Sequence, residues 1–199
     1  MSGTNLESQF KALRVGYHLE RFPSLATRLD RLRRVKAMLS EHEAAWCEAL
    51  SQDFGYRSAD QSSFADITTT IKAANHALKN LKFWMKAERR TPDLSLRMSG
   101  AKTYVESFPK GVVGIVSPWN FPINLALSPL ISVLAAGNRA FIKPSEITPA
   151  TSALLEKLIA QYFADDEVSV ACGDVDVAQA FVKLPFDHII YTGGAAQRI

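Results

Sequence analysis

Val112-Val113-Gly114-Ile115-Val116-Ser117-Pro118-Trp119-Asn120-Phe121-Pro122 decides how this chain is read. Five apolar residues are too few for a helix, and three of them are β-branched valines, so 112–116 reads as a fully buried strand. The string Ser117 to Pro122 then makes a proline-stiffened loop, and helical spacing follows from Leu125 to Ala136. The pattern recurs downstream. Arg139 to Ile142 precedes Lys143-Pro144-Ser145-Glu146 and a helix from Pro149 to Phe163; Val168 to Ala171 precedes a helix from Val175 to Val182; His188 to Tyr191 precedes Thr192-Gly193-Gly194. Four strands alternating with three helices predict a parallel sheet with right-handed crossovers. The fold class is therefore α/β, a doubly wound, Rossmann-like sheet whose ligands sit at the carboxyl ends of its strands.

Working back from Gly111, the composition changes near Phe108-Pro109-Lys110, and the chain is expected to divide into segments 1–110 and 111–199. From Leu6 to about Arg90 the spacing is helical. Ser24 is placed to cap a long helix from Leu25 to Asp53 that Gly55 closes, and a second is expected from Ala59 to Glu88, with Phe64, Ile67, Ile71, Leu78, Leu81 and Met85 on one face. Thr91-Pro92 ends it. Leu94 to Phe108 alternates, most clearly at Thr103-Tyr104-Val105-Glu106-Ser107, and predicts a short antiparallel ribbon. Working forward, the chain stops at Ile199 just after a strand, which reads as a domain incomplete at its carboxyl end.

The 199 residues are 47% hydrophobic and 22% charged, with 11 Phe, 5 Tyr and 3 Trp, so disorder and collagen-like structure are excluded. The longest apolar stretch, Ile123 to Ala136, is broken by polar residues and is shorter than the ~20 residues that a membrane span needs. With no apolar signal core at the start, the expected location is cytoplasmic. Cys47 and Cys172 are too few for a disulfide framework, and the four histidines have no metal spacing. Net charge is +3, but Lys and Arg outnumber Asp and Glu 18 to 12 before residue 111 and trail them 5 to 8 after it. A basic first half raises nucleic acid as a partner. Against that, Arg28, Arg31 and Arg34 alternate with Leu25, Leu29, Leu32 and Val35 as the solvated face of an amphipathic helix does. No nucleic-acid partner is expected.

Three strand-end segments carry candidate chemistry. Between two prolines, Asn120 offers an amide NH2 on a stiff loop, suited to donation toward a developing oxyanion; the same residues also suit a plain turn. Lys143 and Glu146, three apart at a strand-to-helix junction, match a donor and an acceptor for vicinal hydroxyls such as those of a ribose. The carboxylate would repel a phosphate on that sugar, which leans toward NAD and leaves NADP open. A surface ion pair at a helix start fits the spacing equally. Thr192-Gly193-Gly194 lets backbone approach a phosphate closely, as many Gly-Gly turns do. Gly-x-Gly-x-x-Gly, the commoner dinucleotide fingerprint, is missing after 116.

Taken together, Pro118-Trp119-Asn120-Phe121-Pro122, Ala135-Ala136-Gly137-Asn138, Lys143-Pro144-Ser145-Glu146 and Tyr191-Thr192-Gly193 resemble the aldehyde dehydrogenase superfamily in order and spacing. Pro23-Ser24-Leu25-Ala26, Asp53-Phe54-Gly55 and Pro185-Phe186-Asp187-His188 are most similar to its coniferyl-aldehyde and class 3 fatty-aldehyde branch. The resemblance implies NAD(P)-dependent oxidation of a small-molecule aldehyde, coniferyl or another aromatic or fatty aldehyde, to the acid by a homo-oligomeric, homodimeric enzyme, with segment 1–110 carrying part of the oligomerisation ribbon, segment 111–199 the truncated dinucleotide-binding unit, and both belonging to one cofactor-binding domain. In that family a cysteine thiolate attacks the aldehyde, the asparagine matching Asn120 holds the oxyanion, and a glutamate activates water. It also implies that Lys143 and Glu146, with Ser145 between them, hold the adenosine ribose. Trp119, Thr192, Gly193 and Gly194 match the wall and turn beside the cofactor phosphates, and Ser117 lies at the strand end next to them. No metal is implied. Two departures stand out: Arg198 occupies the place of the second glycine of the phosphate turn, and Gln197 an aliphatic place. The Glu-Leu-Gly-Gly and nucleophilic cysteine segments of the family do not occur. This chain alone is therefore expected to be the inactive cofactor-side portion. A non-catalytic nucleotide-binding or interaction module is the alternative. Cys172 is a poor substitute nucleophile, expected near the adenine end, and Glu106 and Asp187 read as turn or strand-end residues.

Overall fold

The computed structural model describes residues 3–194. Its centre is a four-stranded, all-parallel sheet of β3 (Val112–Val116), β4 (Arg139–Lys143), β5 (Val168–Val170) and β6 (His188–Tyr191), in the spatial order β5-β4-β3-β6. Three helices connect them: α7 (Pro122–Ala135), α8 (Pro149–Tyr162) and α9 (Val175–Val182). The chain steps from β3 outward to β4 and β5, then returns to place β6 on the other flank of β3. That reversal is the topological switch point at which doubly wound sheets open a crevice.

Side-chain alternation along the strands builds two cores. Val113, Ile115, Ala140 and Ile142 enter the larger one, which α7 and α8 cover. Behind them lie helices from the first half of the chain: α2 (Leu25–Glu41), α3 (Glu43–Phe54) and α5 (Thr69–Trp84), contributing Leu32, Val35, Trp46, Leu50, Ala74 and Leu81. Val112 and Phe141 point the other way, into a smaller core with α9 and α1 (Gly3–Leu19). There Phe141, Phe181 and Phe186 stack at centroid distances of 4.9–6.3 Å. Gly137, at φ +86°, closes α7, and any Cβ there would lie 2.7 Å from Arg28 Cζ. Asn138 then accepts hydrogen bonds from the amides of Lys110 (2.6 Å) and Gly111 (3.0 Å), tying the turn before β4 to the start of β3.

Several elements differ from expectation. The single helix 25–53 is two: His42 leaves helical geometry (φ −115°, ψ 21°), and the turn lets Trp46 enter the core fully buried. The helix expected over 59–88 begins as one turn, α4 (Ala59–Ser62), widens into a π-helical segment (Ser63–Thr68) and continues as α5. The widened turn changes the register, and Phe64, expected in the core, is 68% exposed. Glu88–Arg90 is not helical; it forms β1, which pairs antiparallel with β2 (Thr103–Val105). Leu94–Met98 is a short helix, α6, where a strand was expected. Arg28 and Arg31 are buried, not solvated. Arg31 Nε donates to Glu167 and its Nη2 to Glu20, both at 2.8 Å, while Arg28 donates to the carbonyls of Pro23 and Ala135. An alternating arginine pattern on α2 therefore turned inward because its charges find distant partners. No helix among the described residues is long and apolar enough to cross a membrane.

Candidate functional site

The loops leaving β3, β4 and β6 converge on one cavity of about 400 Å³ at the carboxyl ends of the strands. All eight residues singled out as cofactor ligands line it: Ser117, Trp119, Lys143, Ser145, Glu146, Thr192, Gly193 and Gly194. Val175, Ala178 and Gln179 form a further wall. They were not foreseen, although their i, i+3, i+4 spacing on α9 was the available signal.

At the base of the cavity, Ser117 is buried and its Oγ has no hydrogen-bond partner among the described residues. A buried hydroxyl without a partner is costly, and this one belongs to a residue that lines the cavity. Lys143 is 2% exposed; its Nζ donates to the carbonyl of Pro144 at 2.6 Å and stands 3.7 Å from Glu146 Oε2. Burial lowers the Lys143 pKa, opposed by the carboxylate of Glu146. Glu146 itself is 38% exposed at the rim. The two therefore form not a surface pair but a buried cation and a half-open anion, with donor and acceptor facing the same space. At the β6 end, Tyr191 Oη donates to the Gly194 carbonyl at 3.2 Å, and a Cβ on Gly193 would lie 2.5 Å from that hydroxyl. Gln197 and Arg198 lie outside the described residues.

Asn120 does not line this cavity. It is exposed and follows Trp119 in a loop whose rings stay partly open, Trp119 at 48% and Phe121 at 40%. Sequence reasoning missed what holds these loops. Both carboxylate oxygens of Asp53 accept the first amides of α8, Ala150 at 2.9 Å and Thr151 at 2.8 Å, a cap supplied from another helix. Phe54 packs 6.3 Å from Trp119.

The remaining candidates do not line the cavity. Burial pushes the Cys172 thiol up to about 12, away from the thiolate form that a nucleophile needs, and its Sγ contacts the Ser152 carbonyl. Cys47 packs beside the main core. Asp187 accepts from the Val112 amide (2.8 Å) and from Arg14 (2.7 Å), holding β3 to the turn before β6. Among the described residues no three or more His, Cys, Asp or Glu side chains are grouped to hold a metal ion.

The model of the family described as "Aldehyde dehydrogenase family" matches residues 12–197. Coniferyl aldehyde dehydrogenase from Pseudomonas sp. is 47% identical over 180 residues, which is 90% of this chain and 37% of the relative. A probable coniferyl aldehyde dehydrogenase from Caulobacter vibrioides is 47% identical over 175 residues, covering 87% of this chain and 36% of the relative. A solved structure of Staphylococcus aureus AldH in its substrate-bound state superposes with a TM-score of 0.89 at 29% identity, covering 94% of this chain and 40% of that one. The chain thus spans well under half the length of these relatives.

Proposed function

Because this chain belongs to the aldehyde dehydrogenase family, we propose that it is the cofactor-binding portion of an enzyme oxidising an aldehyde to the carboxylic acid, with NAD as the cofactor and NADP left open. The reading is carried by one observation: three strand-end loops far apart in sequence meet at a single cavity that holds an orphan hydroxyl and a buried ammonium. Those groups fit a dinucleotide. Lys143 Nζ donates to, and Glu146 accepts from, the two hydroxyls of a ribose. Ser117 Oγ gains the partner it lacks, and the backbone at Gly193 and Gly194 approaches a phosphate without side chains in the way. When bound, the nicotinamide group supplies the acceptor for hydride.

Asn120 lies next to the cavity rather than in it, which suits a group that meets the aldehyde and not the cofactor. Its side-chain N–H donates to the aldehyde oxygen as negative charge builds there. The nucleophile and the general base come from segments that this chain does not contain. An aromatic aldehyde of the coniferyl type is the favoured substrate class, after the similar enzymes of Pseudomonas and Caulobacter. Cytoplasmic location and a homodimer joined near the β1–β2 ribbon complete the proposal.

Asn120→Ala tests it in a full-length dehydrogenase carrying this chain as its amino-terminal segment. Loss of one oxyanion donor lowers kcat about 10²- to 10³-fold, with NAD affinity unchanged. Near-normal turnover would reject the assignment.

A further inference from the structure

Arg57 and Asp66 form an ion pair that none of the foregoing chemistry uses. Their side chains are 5% and 0% exposed, with Nη2 2.6 Å from Oδ2. Buried pairs seldom add net stability over apolar packing, so what the pair holds in place matters more than its own attraction. The second arm of Arg57, Nη1, donates to the main-chain carbonyl of Asn120 at 3.4 Å. Its guanidinium lies between two rings, Phe54 at 5.0 Å and Phe121 at 5.3 Å, and Phe121 directly follows Asn120. The other oxygen of Asp66 accepts the Asn124 amide at 3.0 Å, in the first turn of α7. One pair thus grips residues 120, 121 and 124 together.

The grip is built from the opposite half of the chain. Asp66 sits in the π-helical segment, an uncommon geometry that recurs at functional sites. Just beyond it, the hydroxyls of Thr69 and Thr70 accept from Asn124 Nδ2 at 2.9 and 3.0 Å. Asn120 itself is exposed, and its side chain has no hydrogen bond within the described residues to fix it. Only its backbone is anchored, and the anchor is Arg57.

We propose that Arg57, locked by Asp66, is the positioning residue for Asn120: it fixes the main chain at 120 and so aims the side-chain amide at the oxygen of the aldehyde. The inference rests on the reading of Asn120 as oxyanion donor. Arg57 touches neither substrate nor cofactor and acts through the loop alone.

The test is a mutant cycle in a full-length dehydrogenase carrying this chain. Arg57→Met with Asp66→Asn removes both charges at once, conserves volume and keeps an acceptor for the Asn124 amide. Expected is a fall in kcat of about 10- to 100-fold, the cost of a misplaced catalytic group, with KM for NAD held. Added to Asn120→Ala, the same pair of changes should cost nothing more, since both act on one interaction. Arg57→Lys keeps the charge but loses the planar stack and second arm, so it should show an intermediate loss, and it carries the test if the double variant does not fold. An unchanged kcat in a folded variant, or losses that multiply in the Asn120→Ala background, would overturn the proposal. If Asn120→Ala alone is near normal, the oxyanion role falls and the aiming role with it. Backbone anchoring is read separately in the 199-residue chain: the NMR order parameter at Asn120 should drop from about 0.85 to below about 0.6 in the double variant. No drop would overturn the anchoring.

Discussion

Replacing Lys143 with Met should stabilise the chain while weakening the NAD binding proposed for it. The ammonium is 2% exposed, and its partners are one carbonyl and a carboxylate 3.7 Å away that is itself 38% exposed. An attraction to so open a partner is screened and offsets little of the cost of burying the charge. Exchanging a buried charge for an apolar chain of similar volume is neutral to stabilising. We place the gain near 1 kcal/mol, or about 2–4 °C in Tm for a chain of this size. Binding moves the other way. One charge-assisted hydrogen bond to a ribose hydroxyl is worth about 1.5–3 kcal/mol, so Kd for NAD should rise about 10- to 150-fold. The pH dependence supplies a second sign. Since burial lowers the Lys143 pKa, the folded chain binds fewer protons than the unfolded one just below the ordinary lysine range, and stability from this group increases as pH climbs into it. Met removes that slope. Calorimetric unfolding and NAD titration of the 199-residue chain measure all three. A Met variant that loses stability and binds NAD like the parent would show that Lys143 is a structural bolt and not a cofactor ligand.

Other consequences follow from the same geometry. Glu146→Gln removes the carboxylate that repels a ribose phosphate, so the ratio of NADP to NAD affinity should increase by about tenfold for ~1.4 kcal/mol of relieved repulsion, measured by competitive titration. For Glu167, burial raises the pKa but hydrogen bonds from Arg34 and Arg31 outweigh it and hold the group at about 2. Its stabilising contribution is complete above the ordinary carboxylate range and is lost as pH falls toward 2; about 3 kcal/mol disappears across that window. Glu167→Gln should flatten the acid limb of an unfolding curve followed by circular dichroism. Gly137→Ala combines positive-φ strain with a clash against Arg28 and should cost at least about 2 kcal/mol, seen as a lower denaturant midpoint at constant slope.

Strands were the most legible part of this fold. In the parallel sheet β3, β4 and β5 are short buried runs and β6 is an equally short but largely exposed one; loops of turn-forming chemistry follow, and the candidate cofactor ligands could be named because they lie at the ends of β3, β4 and β6. The breaks in the helical half were hidden. Neither the bend at His42 nor the widened turn around Asp66 disturbs the apolar spacing enough to announce itself, and Glu88–Arg90 has no apolar residue to mark it as a strand. Arg31 was misread for a related reason: periodicity says which residues share a face, not whether a carboxylate 136 positions away will meet it. The loop supports were equally invisible. Asp53 and Arg57 act on residues 97 and 63 positions distant, across a contact that only the folded packing of α3 against the sheet unit creates.

If the ends of β3, β4 and β6 form one dinucleotide site, NAD added to the isotopically labelled chain should move amide NMR signals in all three loops at once. Saturable shifts are expected at Ser117, at Lys143 to Glu146 and at Thr192 to Gly194, all following one binding curve. Shifts confined to the β1–β2 ribbon or the arginines of α2, or separate curves for the three loops, would rule out a shared site.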